Sequence, residues 1–299
     1  MNQELPIQFP GDIKLSIKRE DLLHPYISGN KFRKLKYNII EAKNTGATQL
    51  LTFGGAYSNH IAATAAAGKE YGMATIGIIR GEELEHKAEA NPTLRFTRSC
   101  GMKLHFITRE DYRTKTTPAF INTMKRRFGD FYLVPEGGTN ELAVKGCEEI
   151  LTDADSDFTY IACAVGTGGT ISGLINTARP HQKVLGFPAL KNAGLSDDIS
   201  KFAQKGNWEL FEAYHFGGYG KVNAELVNFI NDFLHKTSIP LDPVYTGKMV
   251  FGVIDLINKG YFPDNARILA IHTGGLQGIT GMNKELQRKK LPIIETADT

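Results

Sequence analysis

The feature that most restricts the fold is an alternation running through most of the 299 residues, in which short apolar runs are followed by stretches with helical spacing. That alternation is the signature of βαβ units and predicts an α/β fold built on mainly parallel sheet. Strands are expected over residues 49–53, 74–79, 104–107, 132–134, 160–165, 184–187 and 268–271. An amphipathic helix is expected from Lys31, with Phe32, Leu35, Ile39 and Ala42 on one stripe. Further helices are expected over residues 60–71, 120–127 and 171–178, and Ser58 is well placed to cap the first of these. No internal repeat, low-complexity tract or long linker interrupts the pattern. Residues 80–91, with their run of charges, and residues 191–207 do not declare an element.

Composition narrows the class. A chain of this length with 41% hydrophobic residues can bury a large core and usually divides into two domains. The net charge of +3, with both signs interspersed, gives no basis for nucleic-acid binding. Cys100, Cys147 and Cys163 are odd in number and have neither CxxC nor metal-ligand spacing, so neither a disulfide framework nor a metal site is expected, and a reducing cytoplasm fits best. The N-terminal residues lack the pattern of a secretory signal, and no apolar run is long enough to span a bilayer, so export and membrane insertion are not expected.

Three segments carry chemistry. Lys31 follows Ser28-Gly29-Asn30 at the positive end of its helix, which disfavours an ammonium by only ~0.3–1 kcal/mol. A nucleophilic lysine needs its pKa lowered from about 10.4 towards roughly 7–8, so burial must supply most of the shift. Read alone, Lys31 is more readily one more solvated charge beside Arg33, Lys34 and Lys36. The turn Gly166-Thr167-Gly168-Gly169-Thr170 can converge backbone N–H groups and hydroxyls on an anion, although glycine at a strand-to-helix junction also serves geometry alone. It lacks the Gly-Lys-Ser/Thr ending of a nucleotide P-loop and the GxGxxG spacing of a dinucleotide site. The turn Gly54-Gly55-Ala56-Tyr57-Ser58-Asn59-His60 suits a carboxylate or phenolate oxygen, or else is a tight turn with an N-cap. His60 reads as a proton carrier or as a polar wall residue. Together, the amine, the anion nest and the polar helix start match what an amino-acid enzyme using pyridoxal 5'-phosphate (PLP) requires.

The segments SGNKFRKL, GGAYSNH, AVGTGGTISGL, DPVYTGKM and HTGGL also stand in the order found in the tryptophan-synthase-β-like, fold-type-II PLP enzymes. Within that group the chain resembles the branch containing D-cysteine desulfhydrase and 1-aminocyclopropane-1-carboxylate (ACC) deaminase, over nearly its whole length. The resemblance implies two open, mainly parallel twisted sheets flanked by helices. It also implies a large PLP-binding domain of residues 1–34 and 145–299, a small inserted domain of residues 35–144, and a homodimer. It implies that Lys31 holds the cofactor covalently and returns as a proton carrier, that Asn59 contacts the cofactor's 3-hydroxyl, and that Gly166, Thr167, Gly168, Gly169 and Thr170 cradle its phosphate. Ser58 and the neighbouring N–H groups, with Asn59 and His60, are expected to bind the substrate. Tyr219 and Tyr245 resemble two active-site tyrosines, and Thr273 the hydroxyl partner of the pyridine nitrogen.

ACC deaminases typically read DPVYEG, with the Glu facing the pyridine nitrogen, whereas this chain has Thr246 in that position and Thr273 nearby. A neutral partner implies a weaker electron sink, suited to α-proton removal and β-elimination rather than to opening a cyclopropane ring. The expected activity is therefore elimination from a small amino acid, D-cysteine first, giving pyruvate, ammonia and sulfide. The alternatives are ACC deaminase, which releases 2-oxobutanoate and ammonia, a dehydratase- or synthase-like activity on L-substrates, and a non-catalytic amino-acid-binding or protein-binding module. The DPVYTGK stretch and Tyr219 argue against L-substrates, and the intact lysine and phosphate turn against the binding module. The chain is shorter before Lys31 and near residues 80–95 than the family pattern, so loops shaping specificity are expected to differ.

Overall fold

A computed structural model describes residues 1–296. Its strands are β1 (Asn2–Glu4), β2 (Lys14–Lys18), β3 (Gln49–Gly54), β4 (Ala74–Arg80), β5 (Lys103–Ile107), β6 (Tyr132–Leu133), β7 (Tyr160–Val165), β8 (Lys183–Pro188), β9 (Trp208–Leu210) and β10 (Arg267–Ile271). Its helices are α1 (Asn30–Asn44), α2 (Asn59–Tyr71), α3 (Pro92–Ser99), α4 (Pro118–Phe128), α5 (Glu141–Cys147), α6 (Gly169–Thr177), α7 (Leu195–Ser200), α8 (Ala224–Thr237), α9 (Thr246–Asn258) and α10 (Ile279–Arg288). One sheet has six strands in the order β1-β2-β10-β7-β8-β9, and the other has four in the order β5-β4-β3-β6. Only the β1–β2 pairing is antiparallel.

The central strands are buried on both faces. In β7, Ile161, Cys163 and Val165 pack with Ile171, Leu174 and Ile175 of α6, while Ala162 and Ala164 face the cluster built by α8, α9 and α10. Successive side chains of a strand point to opposite faces, so one short apolar run supplies both layers. Each fully buried aliphatic side chain contributes about 1.5–3 kcal/mol relative to an exposed one.

All seven expected strands form, within a residue or two of the expected bounds. The strands that periodicity did not indicate are β1, β2 and β9, which span three, five and three residues. The helix expected over residues 171–178 begins two residues earlier, because Gly168 takes a left-handed φ of +85° and lets the helix start at Gly169. Ser58 caps α2 by accepting from the Ile61 N–H at 3.3 Å. No helix among the described residues is long and apolar enough to cross a membrane.

Candidate active site

The C-terminal ends of β3, β7 and β10 and the first turn of α1 meet at a cleft of about 570 Å³. Carboxyl ends of parallel strands are where open α/β sheets leave crevices for ligands. Lys31, Ser58, Asn59, His60, Gly166, Thr167, Gly168, Thr170, Tyr219, Tyr245 and Thr273 all line it. Gly169 does not, because it lies beneath the turn, where an added Cβ would come within 2.8 Å of Thr139 Oγ1 and 3.2 Å of Lys34 Nζ.

Lys31 Nζ donates to the Gly137 carbonyl at 3.4 Å. Its pKa is lowered to about 7, first by burial and then by the charge of Lys34. Lys34 is the residue that sequence reasoning misplaced among solvated charges. Its side chain is buried, donating to the Gly137 carbonyl at 3.1 Å and Thr139 Oγ1 at 2.9 Å, and burial lowers its pKa too. The available signal was spacing: residues three apart on a helix share a face, so the two lysines point the same way.

His60 is also buried, and its pKa falls well below the ordinary value through burial and the charges of Lys31 and Lys34. Thr52 donates its hydroxyl proton to the Val134 carbonyl at 2.8 Å, so the 2.7 Å contact assigns the donor on His60 to Nε2. Its Nδ1 is buried and makes no hydrogen bond of normal geometry among the described residues. Asn59 is held by Gln277, whose Nε2 donates to Asn59 Oδ1 at 2.6 Å, which leaves the amide N–H donors free.

The turn from Gly166 to Thr170 is braced from both flanks. Asn30 Nδ2 donates to Thr170 Oγ1 at 2.7 Å, and Thr167 Oγ1 lies 2.6 Å from Thr139 Oγ1. Glycine backbone, two threonines, the start of α6 and the Lys34 ammonium thus surround one small space, a donor set that fits a phosphate dianion. The absence of a Cβ at Gly169 keeps Lys34 beside it. Lys31, 3.4 Å from the same carbonyl that Lys34 binds, is within reach of a carbonyl group tethered by that phosphate. These residues fit PLP.

Tyr219 and Tyr245 face each other with ring centroids 6.1 Å apart. Tyr245 rests against the Gly166–Thr170 turn, its ring 3.3 Å from where a Cβ on Gly166 would stand. Burial raises both phenols, but Tyr245 as hydrogen-bond donor pulls Tyr219 back, so Tyr219 is the more acidic of the two. Its loop is pinned by Lys248, whose Nζ donates to the carbonyls of His215 and Gly218, each at 2.9 Å. Thr273 lies two residues beyond the end of β10, and its carbonyl accepts from the Asn30 N–H at 3.3 Å. Thr246, expected near the pyridine nitrogen, does not line the cleft. It is buried and donates to Asp242 Oδ1 at 2.7 Å, and that carboxylate also accepts from its N–H, closing the start of α9.

The model of the family described as "Pyridoxal-phosphate dependent enzyme" matches residues 6–274. A protein of Pyrococcus horikoshii named a candidate 1-aminocyclopropane-1-carboxylate deaminase is 32% identical over 92% of this chain and 90% of its own length. The mitochondrial bifunctional D-cysteine desulfhydrase/1-aminocyclopropane-1-carboxylate deaminase of Arabidopsis thaliana is 30% identical over 90% of this chain and 74% of its own. The crystal structure of an ACC deaminase homologue superposes with a TM-score of 0.85 at 28% identity, covering 96% of this chain and 93% of that one. With its two mainly parallel sheets, the chain belongs to the pyridoxal-phosphate dependent enzymes, in their fold-type-II form.

Proposed function

We propose that the protein is a lyase that eliminates the β-substituent of a small amino acid, with D-cysteine its first substrate. D-cysteine and water give pyruvate, ammonia and hydrogen sulfide. The observation that carries this reading is that no unpaired carboxylate lines the cleft among the described residues. Glu136 is held by the Tyr112 hydroxyl at 2.7 Å and Lys115 at 3.1 Å, and Asp198 by Lys201 at 2.7 Å. Bound PLP supplies the electron sink for the bond broken at Cα. Thr273 gives its pyridine nitrogen a neutral partner, adequate for losing a proton and a good leaving group but poor for opening a carbon ring.

In this reading Lys31 holds the cofactor and, once displaced, takes the α-proton at Nζ. A pKa of about 7 leaves half of the amine neutral at neutral pH, as both tasks require. Ser58 keeps its hydroxyl proton while capping α2, so it and the N–H groups of Asn59 and His60 hold the α-carboxylate at that helix end. The free amide of Asn59 meets the cofactor's 3-hydroxyl, and Lys34 with residues 166–170 holds the phosphate. Tyr219 delivers a proton to the leaving group, with Tyr245 donating to it.

The strands of the four-stranded sheet all lie within residues 49–133, which supports an inserted domain of residues 35–144 in a larger one of residues 1–34 and 145–299. Three free cysteines support a cytoplasmic protein, and the family resemblance supports a homodimer. The second reading, ACC deamination, is favoured by the names of the relatives. Assaying the PLP-loaded protein with D-cysteine and with ACC separates the two. Pyruvate and sulfide from D-cysteine are expected, and 2-oxobutanoate from ACC without elimination from D-cysteine would overturn the proposal.

A further inference from the structure

The rim of the cleft carries a cation that the mechanism above does not use. Arg80, the last residue of β4, is exposed and lines the cleft, and its side chain makes no hydrogen bond or ion pair among the described residues. Its guanidinium carbon lies 5.6 Å from the centre of the Tyr112 ring. That ring is itself fixed, because its hydroxyl donates to Glu136 Oε1 at 2.7 Å and Lys115 Nζ stands 4.6 Å from its centre. Glu136 is the nearby carboxylate, but Lys115 already pairs with its other oxygen at 3.1 Å. The group of Arg80, Lys115 and Glu136 is left with one uncompensated positive charge on a rigid aromatic seat.

One approach fixes where that charge points. Arg80 Nη2 lies 3.8 Å from where a Cβ on Gly55 would stand, so the guanidinium runs alongside the turn that opens α2. Tyr219 lines the same cleft. Arg80 therefore stands between the expected carboxylate seat at Ser58 and the tyrosine pair expected to face the leaving group.

We propose that Arg80 determines specificity by binding a second anionic group, a carboxylate, sulfonate or phosphate, on the side chain of the amino-acid substrate. The planar fork of a guanidinium matches such groups with two parallel hydrogen bonds. The α-carboxylate is already served by Ser58 and the start of α2, which leaves the side chain as the ligand of Arg80. This inference rests on reading the cleft as a PLP site for a small amino acid, and it adds amino acids with an anionic side chain to the substrates proposed above.

The test is binding to the PLP-loaded protein, read by the change in the cofactor's visible absorbance, for the isosteric pairs D-aspartate/D-asparagine and L-aspartate/L-asparagine. The wild type is expected to bind aspartate of the responding enantiomer about 10- to 100-fold more tightly than asparagine, the span of one charge-assisted contact. Arg80→Gln is expected to abolish that preference while changing asparagine binding less than about 2-fold, and Arg80→Lys to keep part of it. No preference in the wild type, an equal loss for both ligands in Arg80→Gln, or no spectral response to either pair would overturn the inference. No turnover is required, so a preference that depends on Arg80 in a protein inactive on D-cysteine would remove D-cysteine as the substrate and leave this inference standing.

Discussion

Lys31 and Lys34 stand one helical turn apart and donate to the same Gly137 carbonyl, at 3.4 Å and 3.1 Å. Two ammonium groups sharing one acceptor repel each other, so the neutral form is favoured on the one that lacks a second partner. Lys34 has Thr139, and Lys31 has none, which agrees with Lys31 being the one brought to about 7. The neutral amine is the nucleophile. Covalent attachment of PLP to Lys31 in the apoprotein is therefore expected to accelerate with pH up to about 7 and then level off. An ordinary lysine would keep gaining tenfold per pH unit towards 10.5. Lys34→Met removes the neighbouring charge and moves the break to higher pH. Stopped-flow rates still rising tenfold per unit beyond pH 8 in the wild type would refute this account of Lys31. The linkage has a definite sign: the folded pKa lies below the unfolded one, so the unfolded chain binds the extra proton between pH 7 and 10.5. Through this group, apoprotein stability rises with pH across that window.

At the scale of elements, α1 is held in place by a helix crossing that requires glycine. A Cβ on Gly146 in α5 would stand 2.0 Å from the Arg33 carbonyl oxygen of α1, and one on Gly173 in α6 would stand 2.6 Å from the Cys147 Cβ. The helix carrying Lys31 and the helix that begins within the Gly166–Thr170 turn are thus both packed against α5. Gly146→Ala gains about 1 kcal/mol of helix propensity but forces a backbone shift of an ångström or so, and overpacking of this kind costs about 1–3 kcal/mol. The shift has no flexible side chain to absorb it, so we expect overpacking to prevail. Melting temperature should fall by on the order of 2–6 °C, with weaker attachment of PLP because Lys31 moves with α1. An unchanged or raised melting temperature in a thermal scan would show that the crossing is looser than it stands here. This crossing was invisible in the sequence, since a glycine inside a helical pattern does not say which backbone approaches it. The parallel strands were legible because burial on both faces writes a continuous apolar run, as in residues 160–165. β1, with the residues Asn, Gln and Glu, writes nothing because it is specified by its pairing with β2. The site was legible where chemistry forces residue type, at Lys31, Ser58 and the glycine turn. It was not legible where burial alone changes a residue's character, as at Lys34.

Over the whole molecule, a chain of direct contacts around the Gly166–Thr170 turn helps to join the walls of the cleft. Asn30 reaches Thr170 at 2.7 Å, Lys34 reaches Thr139 at 2.9 Å, and Thr139 meets Thr167 at 2.6 Å. Gln277 adds a link to Asn59 at 2.6 Å near the outer end. A phosphate in that space would contact α1, the Gly137–Thr139 segment and the start of α6 together, adding charge-assisted bonds to each while neutralising the repulsion between Lys31 and Lys34. A ligand that binds only the folded state stabilises it by mass action, about 2.7 kcal/mol at a hundredfold excess over its dissociation constant. PLP should therefore raise the melting temperature by on the order of 5 °C or more. If the phosphate joins these segments, pyridoxal, which can still react with Lys31, should give well under half of that shift. Inorganic phosphate alone should give a measurable part of it, and Lys34→Met should lose most of the difference between PLP and pyridoxal. Equal shifts from PLP and pyridoxal in the wild type would mean that attachment at Lys31 supplies all the stabilisation. The glycine turn and Lys34 would then shape the cleft without tying its walls together.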